Sequence, residues 1–295
     1  MLWFLFALTT ATCESFRDVF NKKSLETNDI YIVAWSLNFF TVVFLLPLVW
    51  ITGVPEIGDR FFLSLAINST LNGLSFLTLM KAIQASDLSK VAPMTTFTPL
   101  FLLLTSPLIV GEFPNPSGFV GIALIVVGAY LLNLNARKAG YLAPFKMLWK
   151  ERGTKLGLLV AFLWSITANF DKIGVQNSAP IFWVFSMFAG ITLLLSPLVI
   201  TQSKWRLTGK KGNIISHFSF RKSLVSIGLF NAIAVAFQMF ALNLTLVPYV
   251  ISVKRTSAIF SVIWSKVIFK ESGFQERVAG AVVMVLGVIC IALSG

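Results

Sequence analysis

The chain carries a second copy of its own apolar pattern, and that repeat limits the available folds more than any other feature. Shifted by 159 positions, residues 82–132 lie on 241–291 without a gap. Ala82 then meets Ala241, Val91 meets Val250, Phe101 meets Phe260, Ser106 meets Ser265 and Ile109 meets Ile268. Glu112, Gly121 and Gly128 recur in register as Glu271, Gly280 and Gly287. Upstream, Ala7 and Phe16 match Ala161 and Phe170 at a shift of 154, and Pro47 matches Pro197 at 150. The shifts differ because the connections differ in length, chiefly through an insertion near 203–220. A period this long marks a duplicated structural unit.

Each copy holds five apolar stretches of the length that crosses a bilayer, about 20 residues. They fall near 2–20, 31–51, 61–82, 91–110 and 117–134, and again near 156–173, 180–200, 222–245, 250–269 and 277–294. Hydrophobic residues make up 56% of the 295 and charged residues 12%, about half the charged share of a soluble domain. The predicted fold is an all-α integral membrane protein with ten transmembrane helices around a central cavity. Residues 1–135 form the first unit, 136–155 a basic connection and 156–295 the second unit. Five is odd, so the second unit enters the membrane inverted. Inverted repeats with a substrate site near the midplane are a recurring plan of secondary transporters.

The net charge of +12 is read as membrane orientation and not as nucleic-acid binding. Twenty of the 24 Lys and Arg fall in the connections after spans 1, 3, 5, 7 and 9, or at their borders. Arg60, Lys172, Lys254 and Arg255 are the other four. The positive-inside rule then puts both termini outside and the long basic connections in the cytoplasm. Residues 141–149 are either an interfacial helix or an ordinary linker. The start lacks a positive leader region and reads as the first membrane span. Cys13 and Cys290 sit inside apolar spans and suggest no disulfide framework.

The pattern Glu112…Gly121…Gly128, repeated as Glu271…Gly280…Gly287, resembles the EamA modules of the drug/metabolite transporter superfamily. The resemblance covers nearly the whole chain. It implies two inverted five-helix EamA repeats around a cavity that works by alternating access. Two shorter stretches, Phe20-Asn21-Lys22-Lys23 and Val253-Lys254-Arg255, resemble the sugar-phosphate translocator branch. That branch holds its substrate phosphate with a lysine and an arginine of the ninth helix and a lysine of the first. Carried over, this implies Lys254, Arg255 and either Lys22 or Lys23. Thr256-Ser257 follows where that branch has aliphatic residues, so substrate identity does not transfer.

Adjacent cations inside an apolar span are costly unless they face a partner, a cavity or the interface. Lys254 and Arg255 are read as an anion clamp, with snorkelling of the two stems to the interface as the bland alternative. Lys254, Ser257, Ser261 and Ser265 recur at helical spacing, giving one polar stripe that either lines the cavity or packs helices. Glu14 and Asp18 share a face of the first span, with Arg17 three residues from Glu14. They serve either a coupled proton or a local ion network. Asp171 and Lys172 hold the matching place in the sixth span and are expected to cap or line the cavity mouth. Asn68, Asn72 and Ser75 share one face, as do Asn231 and Gln238. Their amides bind either substrate hydroxyls or neighbouring helices. Trp35, Trp164 and Trp183 wall the cavity or mark the interface. Pro93, Pro99 and Pro107 are expected to kink the fourth span.

His217, in a basic loop, is the only histidine. No metal-ligand spacing, phosphate-cradling loop or catalytic triad appears. The expectation is therefore a transporter of the cell membrane, not an enzyme, without cofactor or metal. It would move a small polar, anionic metabolite, driven by a proton or a counter-substrate, as a monomer or homodimer in the bilayer. The alternatives are an amino-acid or drug exporter and a lipid-linked sugar flippase.

Overall fold

The computed structural model describes residues 1–25, 30–85, 91, 94–133, 151–207, 222–260, 263–264 and 274–294. Among them stand ten helices of eight residues or more. They are α1 (Leu2–Leu25), α2 (Ile30–Thr52), α3 (Phe61–Ala85), α4 (Thr98–Ile109) and α5 (Pro116–Asn133), followed by α6 (Arg152–Gln176), α7 (Pro180–Leu207), α8 (Lys222–Leu244), α9 (Val247–Lys254) and α10 (Phe274–Ser294). Helices satisfy their backbone groups internally, as lipid requires. Glycine ends two of them in the left-handed region, Gly53 at φ 74° after α2 and Gly111 at φ 73° after α4. Residues with a Cβ adopt that conformation at a cost.

Stretches in α2, α3, α6, α7 and α8 are long and apolar enough to cross a membrane. α4, α5 and α10 supply shorter apolar segments. The charges in α1 at Glu14, Arg17 and Asp18 lower its hydropathy, and those same residues face a cavity. Thus α1 is polar where it lines the interior. α6 begins at Arg152, ahead of the expected start at 156.

The helices pack mainly across the two halves of the chain. α1 packs on α8 as α6 packs on α3, α2 on α8 as α7 on α3, and α1 on α9 as α6 on α4. Each of these pairs is the image of the other when the first five helices are exchanged for the last five. Close contacts repeat the relation. A Cβ on Gly228 would meet the Phe40 Cβ at 2.2 Å, and one on Gly190 would meet the Ser69 Oγ at 2.7 Å. The shifts of 159 and 150 carry one contact onto the other. At α5 and α10, a Cβ on Gly121 would meet the Gly287 carbonyl at 2.7 Å, and one on Gly128 the Gly280 carbonyl at 2.6 Å. Early residues of α5 therefore face late residues of α10, so these two helices cross antiparallel. Small residues let membrane helices approach this closely, which explains why both glycines recur.

The ninth span departs from the expected 250–269 helix. α9 starts at Val247 and ends at Lys254, and a turn follows at Arg255–Thr256 before helix resumes at Ser257. The fourth span turns at Thr96–Phe97, before α4. A shift of 159 places one break on the other. Both are tight turns held by i→i−3 bonds, from Phe97 N–H to the Met94 carbonyl (3.3 Å) and from Thr256 N–H to the Val253 carbonyl (3.0 Å). Pro99 lies just past the first break, while Pro93 lies outside the described residues.

Candidate functional site

A cavity of about 360 Å³ lies between the two halves, lined from α1, α2, α3, α4, α6, α7, α8 and α9 together with Arg255 and Ser257. Of the expected site residues, Lys254, Arg255, Ser257, Asn72, Asn231, Glu14 and Asp18 all line it. The eighth expected residue is Lys22. Its backbone forms the last turn of α1, and its side chain lies outside the described residues, as do Ser261, Ser265, Glu271, His217 and the stretch 141–149.

Side-chain exposure along α1 rises from 8% at Glu14 through 20% at Arg17 to 45% at Asp18. The cavity thus opens toward the C-terminal end of α1. Its other end is packed shut. Trp3 stacks on Tyr249 at 6.2 Å, and the Tyr249 hydroxyl donates to Asn115 Oδ1 at 3.1 Å. Glu112 there joins the two halves. Its carboxylate pairs with Lys172 of α6 and accepts the Val247 N–H at the start of α9 (2.8 Å). Lys172 also donates to the Thr245 carbonyl (2.8 Å). A carboxylate at a helix N-terminus meets unsatisfied N–H groups and the positive end of the dipole.

The two adjacent cations of the ninth span have different surroundings. Lys254 Nζ lies 3.1 Å from Glu14 Oε1 and donates to Gln238 Oε1 at 2.7 Å. Glu14 also receives Arg17 at 2.7 Å, and Arg17 reaches Asp18 at 2.9 Å and Asn231 Oδ1 at 3.2 Å. Asn231 donates in turn to Thr41 of α2 at 2.9 Å. Lys254 is thus one member of a closed polar network. Arg255, at the break, donates from Nη2 to Thr98 Oγ1 at 2.8 Å and lies over the Trp164 ring at 5.8 Å. Its Nε is enclosed and has no hydrogen-bond partner among the described residues. No carboxylate pairs with Arg255 among the described residues. A planar guanidinium beside an aromatic face, with no carboxylate on it, is suited to a carboxylate or phosphate.

The opposite wall holds Asp171, whose Oδ1 accepts from Asn68 Nδ2 (2.9 Å) and from Trp183 Nε1 (3.0 Å). Asn72 donates to Asn68 Oδ1, so the cavity surface is linked to Asp171 through two amides. Asn68 therefore binds a neighbouring helix, while Asn72 and Asn231 face the cavity. Trp164 walls the cavity, Trp183 is buried against Gly174 and Trp35 donates to Ser196 of α7 at 3.0 Å.

Among the lining residues not singled out from sequence are Asn38, Thr98 and Thr167, with an apolar strip of Met187, Phe188, Ile191 and Leu195 on α7. Asn38 had a usable signal, as an amide inside an apolar span. The strip had none, because an apolar cavity wall and a lipid face read alike. One relation was visible but unused: the shift of 159 also sets Asn72 on Asn231.

The same family, EamA-like transporters, matches twice, over residues 1–134 and 152–293. An uncharacterized transporter of Archaeoglobus fulgidus is 23% identical over 298 residues, spanning 99% of each chain. An uncharacterized transporter of Sinorhizobium sp, named for the cobO 3′ region, is 32% identical over 77 residues, 26% of this chain and 55% of its own. A protein of known crystal structure shares the fold at a TM-score of 0.76 and 13% identity, covering 99% of this chain and 96% of that one. With helices apolar enough to span the bilayer several times, the chain is a multi-pass protein of the cell membrane and belongs to the EamA-like transporter family.

Proposed function

We propose that this protein is a secondary transporter that carries a small polar, anionic metabolite by alternating access between two inverted five-helix repeats. The exchange symmetry of the helix contacts and the antiparallel crossing of α5 and α10 support the inverted arrangement. The cavity, open toward the C-terminal end of α1 and packed shut at Glu112 and Tyr249, corresponds to one of the two access states. On the Lys/Arg rule this opening is cytoplasmic. Breaking the contacts of Glu112 and Tyr249 and closing the α1 end would give the other state.

The observation that carries the anionic reading is Arg255. It sits at a helix break on the cavity lining, donates to the Thr98 hydroxyl and pairs with no carboxylate among the described residues. The expected clamp of two equal cations therefore becomes one anchor, Arg255, beside a lysine already matched by Glu14 and Gln238. Ser257, Asn72 and Asn231 would contact the rest of the substrate. Glu14 and Asp18 hold Arg17 and Lys254 in place.

A second reading, an amino-acid exporter, rests on Asp171. Its carboxylate has only neutral donors, so it would suit the ammonium of a zwitterion whose carboxylate lies on Arg255.

A thermal-shift screen of phosphorylated metabolites, amino acids and nucleotide sugars identifies the class, and uptake of the best hit into proteoliposomes tests transport. Arg255→Ala is expected to abolish uptake of an anion and Lys254→Ala to reduce it, with both variants folded. Wild-type uptake in both variants would contradict the anion reading.

A further inference from the structure

Among the described residues three carboxylates line the cavity, and one of them forms no ion pair. Glu14 is held by Arg17 and Lys254, and Asp18 by Arg17. Asp171 forms no ion pair among the described residues. Its partners are the amide of Asn68 and the indole of Trp183, and both donate to Oδ1. Oδ2 makes no hydrogen bond among the described residues and is not sealed from the space that Asp171 lines. The residue itself is 6% exposed.

The surroundings of this carboxylate are built with care. A Cβ on Gly174 would lie 2.2 Å from Trp183 Cε3, so only glycine lets the indole lie flat on α6. Trp183 is fully buried and meets Phe61 edge-on at 5.7 Å. Asn68 is fixed from the other side by the Thr167 carbonyl at 2.9 Å. This places the side chain in one orientation without neutralising it. A buried carboxylate costs free energy when neutral donors alone offset its lost hydration. A neutral acid at the same place loses little, because Oδ1 still accepts and Oδ2 becomes an O–H donor.

Other charges facing the cavity come from Lys254 and Arg255 at the ninth span and from Glu14, Arg17 and Asp18 of α1. Lys172, next to Asp171 in α6, is occupied by Glu112 and the Thr245 carbonyl. Among the described residues, α2, α3, α4, α7 and α8 bring no charged side chain to the cavity. With Asp171 ionised, Arg17, Lys254 and Arg255 are matched by Glu14, Asp18 and Asp171, and the lining formed by the described residues is formally neutral. With Asp171 protonated, the lining carries one positive charge, which a single anionic group would balance.

We propose that Asp171 is the proton site of this transporter and couples one proton per transport cycle to one negative charge of the substrate. This rests on the transport reading above. A proton from the aqueous side adds to Oδ2, forming an O–H bond, as the anion settles on Arg255. It leaves to the opposite side when the anion is released, so the loaded cavity remains neutral in transit. The path from substrate to proton is short: Asn72 on the cavity surface bonds Asn68, which bonds Asp171. Anything that pulls on Asn72 alters the donors around the carboxylate.

The test needs no substrate. Infrared difference spectra of the purified full-length protein in lipid bilayers, recorded between alkaline and acid pH, report the carbonyl stretch of a protonated carboxylic acid. The wild type is expected to gain that band, and Asp171→Asn to lose it. Glu14→Gln and Asp18→Asn are expected to retain it, and Asp171→Glu to keep it at a shifted frequency. Thermal melting selects variants that remain folded. A band that survives in Asp171→Asn overturns the assignment, as does one lost in Glu14→Gln while Asp171→Asn keeps it. An Asp171 that stays ionised throughout overturns it too, and is what an ammonium-binding site would show. Proteoliposomes loaded with a pH-sensitive dye give a separate result. If the Asp171 band is present but no hit from the screen is transported, the proton site stands and the transport reading fails. If transport occurs without the band, the reverse holds.

Discussion

The breaks in the fourth and ninth spans have the same geometry and different chemistry. Both interrupt a helix at positions related by 159, both are tight turns, and both lie at the cavity. At the first, the chain offers Thr95 and Thr96, and Thr98 carries the hydroxyl that receives Arg255. At the second, it offers Lys254 and Arg255. The halves differ again at α1 and α6, which both line the cavity. α1 carries Glu14, Arg17 and Asp18, whereas the matching turn of α6 carries Ala168, Asp171 and Lys172. Interrupted helices near the midplane are where transporters of inverted design place their ligands. Duplication therefore supplied two equivalent frames, and the charges were distributed unevenly over them.

One exception sharpens the comparison. Asn72 and Asn231 are exact counterparts at the shift of 159, and both line the cavity. Duplicated residues are thus not confined to the scaffold. The two amides still differ in partners. Asn231 joins Arg17 to Thr41, while Asn72 bonds Asn68.

The largest effect is expected where the halves are tied by buried charge. Lys172→Met leaves Glu112 without its cation and should cost roughly 3–5 kcal/mol, the usual consequence of breaking a buried pair from one side. Adding Glu112→Gln should recover much of that loss in thermal unfolding. Next comes the asymmetry of the two breaks. Arg255→Ala should weaken binding of an anionic hit by roughly 10- to 100-fold, the range of a charged hydrogen bond, and Thr96→Ala should leave it nearly unchanged. Equal losses in both variants would break the comparison. The glycine contact should behave symmetrically. Gly121→Ala and Gly287→Ala each drive a methyl into the other's carbonyl, and each should destabilise by about 1–3 kcal/mol. The smallest effect is expected at the paired amides. Asn231→Ala should cost about 1 kcal/mol more than Asn72→Ala, because it frees two buried partners, as measured by unfolding of the two variants side by side.

Much of the architecture was legible before any coordinates. Apolar length located the ten helices seen among the described residues, five of which are long and apolar enough to cross a bilayer. The repeated Gly121 and Gly128 were legible as packing residues and proved to meet their counterparts across the crossing of α5 and α10. The early end of α9 was not legible, because no proline or glycine marks Arg255–Thr256 and the break follows from the turn taken there. Of the expected site residues, seven of the eight converge on one cavity, because charge and amide groups inside apolar spans have few other places to go. What the sequence could not show was the pairing among them. Glu14 is four residues from Asp18, but its principal partners include Lys254, which lies on another helix. Lys254 and Arg255 are adjacent and looked equivalent, yet Lys254 is paired with Glu14 while Arg255 has no carboxylate partner among the described residues.

That difference is the central claim, and calorimetric titration of the best anionic hit addresses it most directly. Wild type, Lys254→Gln and Arg255→Gln would be compared in detergent or nanodiscs at one pH and salt concentration. The account predicts measurable binding to wild type, a modest loss in Lys254→Gln, and loss of at least tenfold in Arg255→Gln, about 1.4 kcal/mol. Unchanged affinity in Arg255→Gln, or a larger loss in Lys254→Gln, would contradict it.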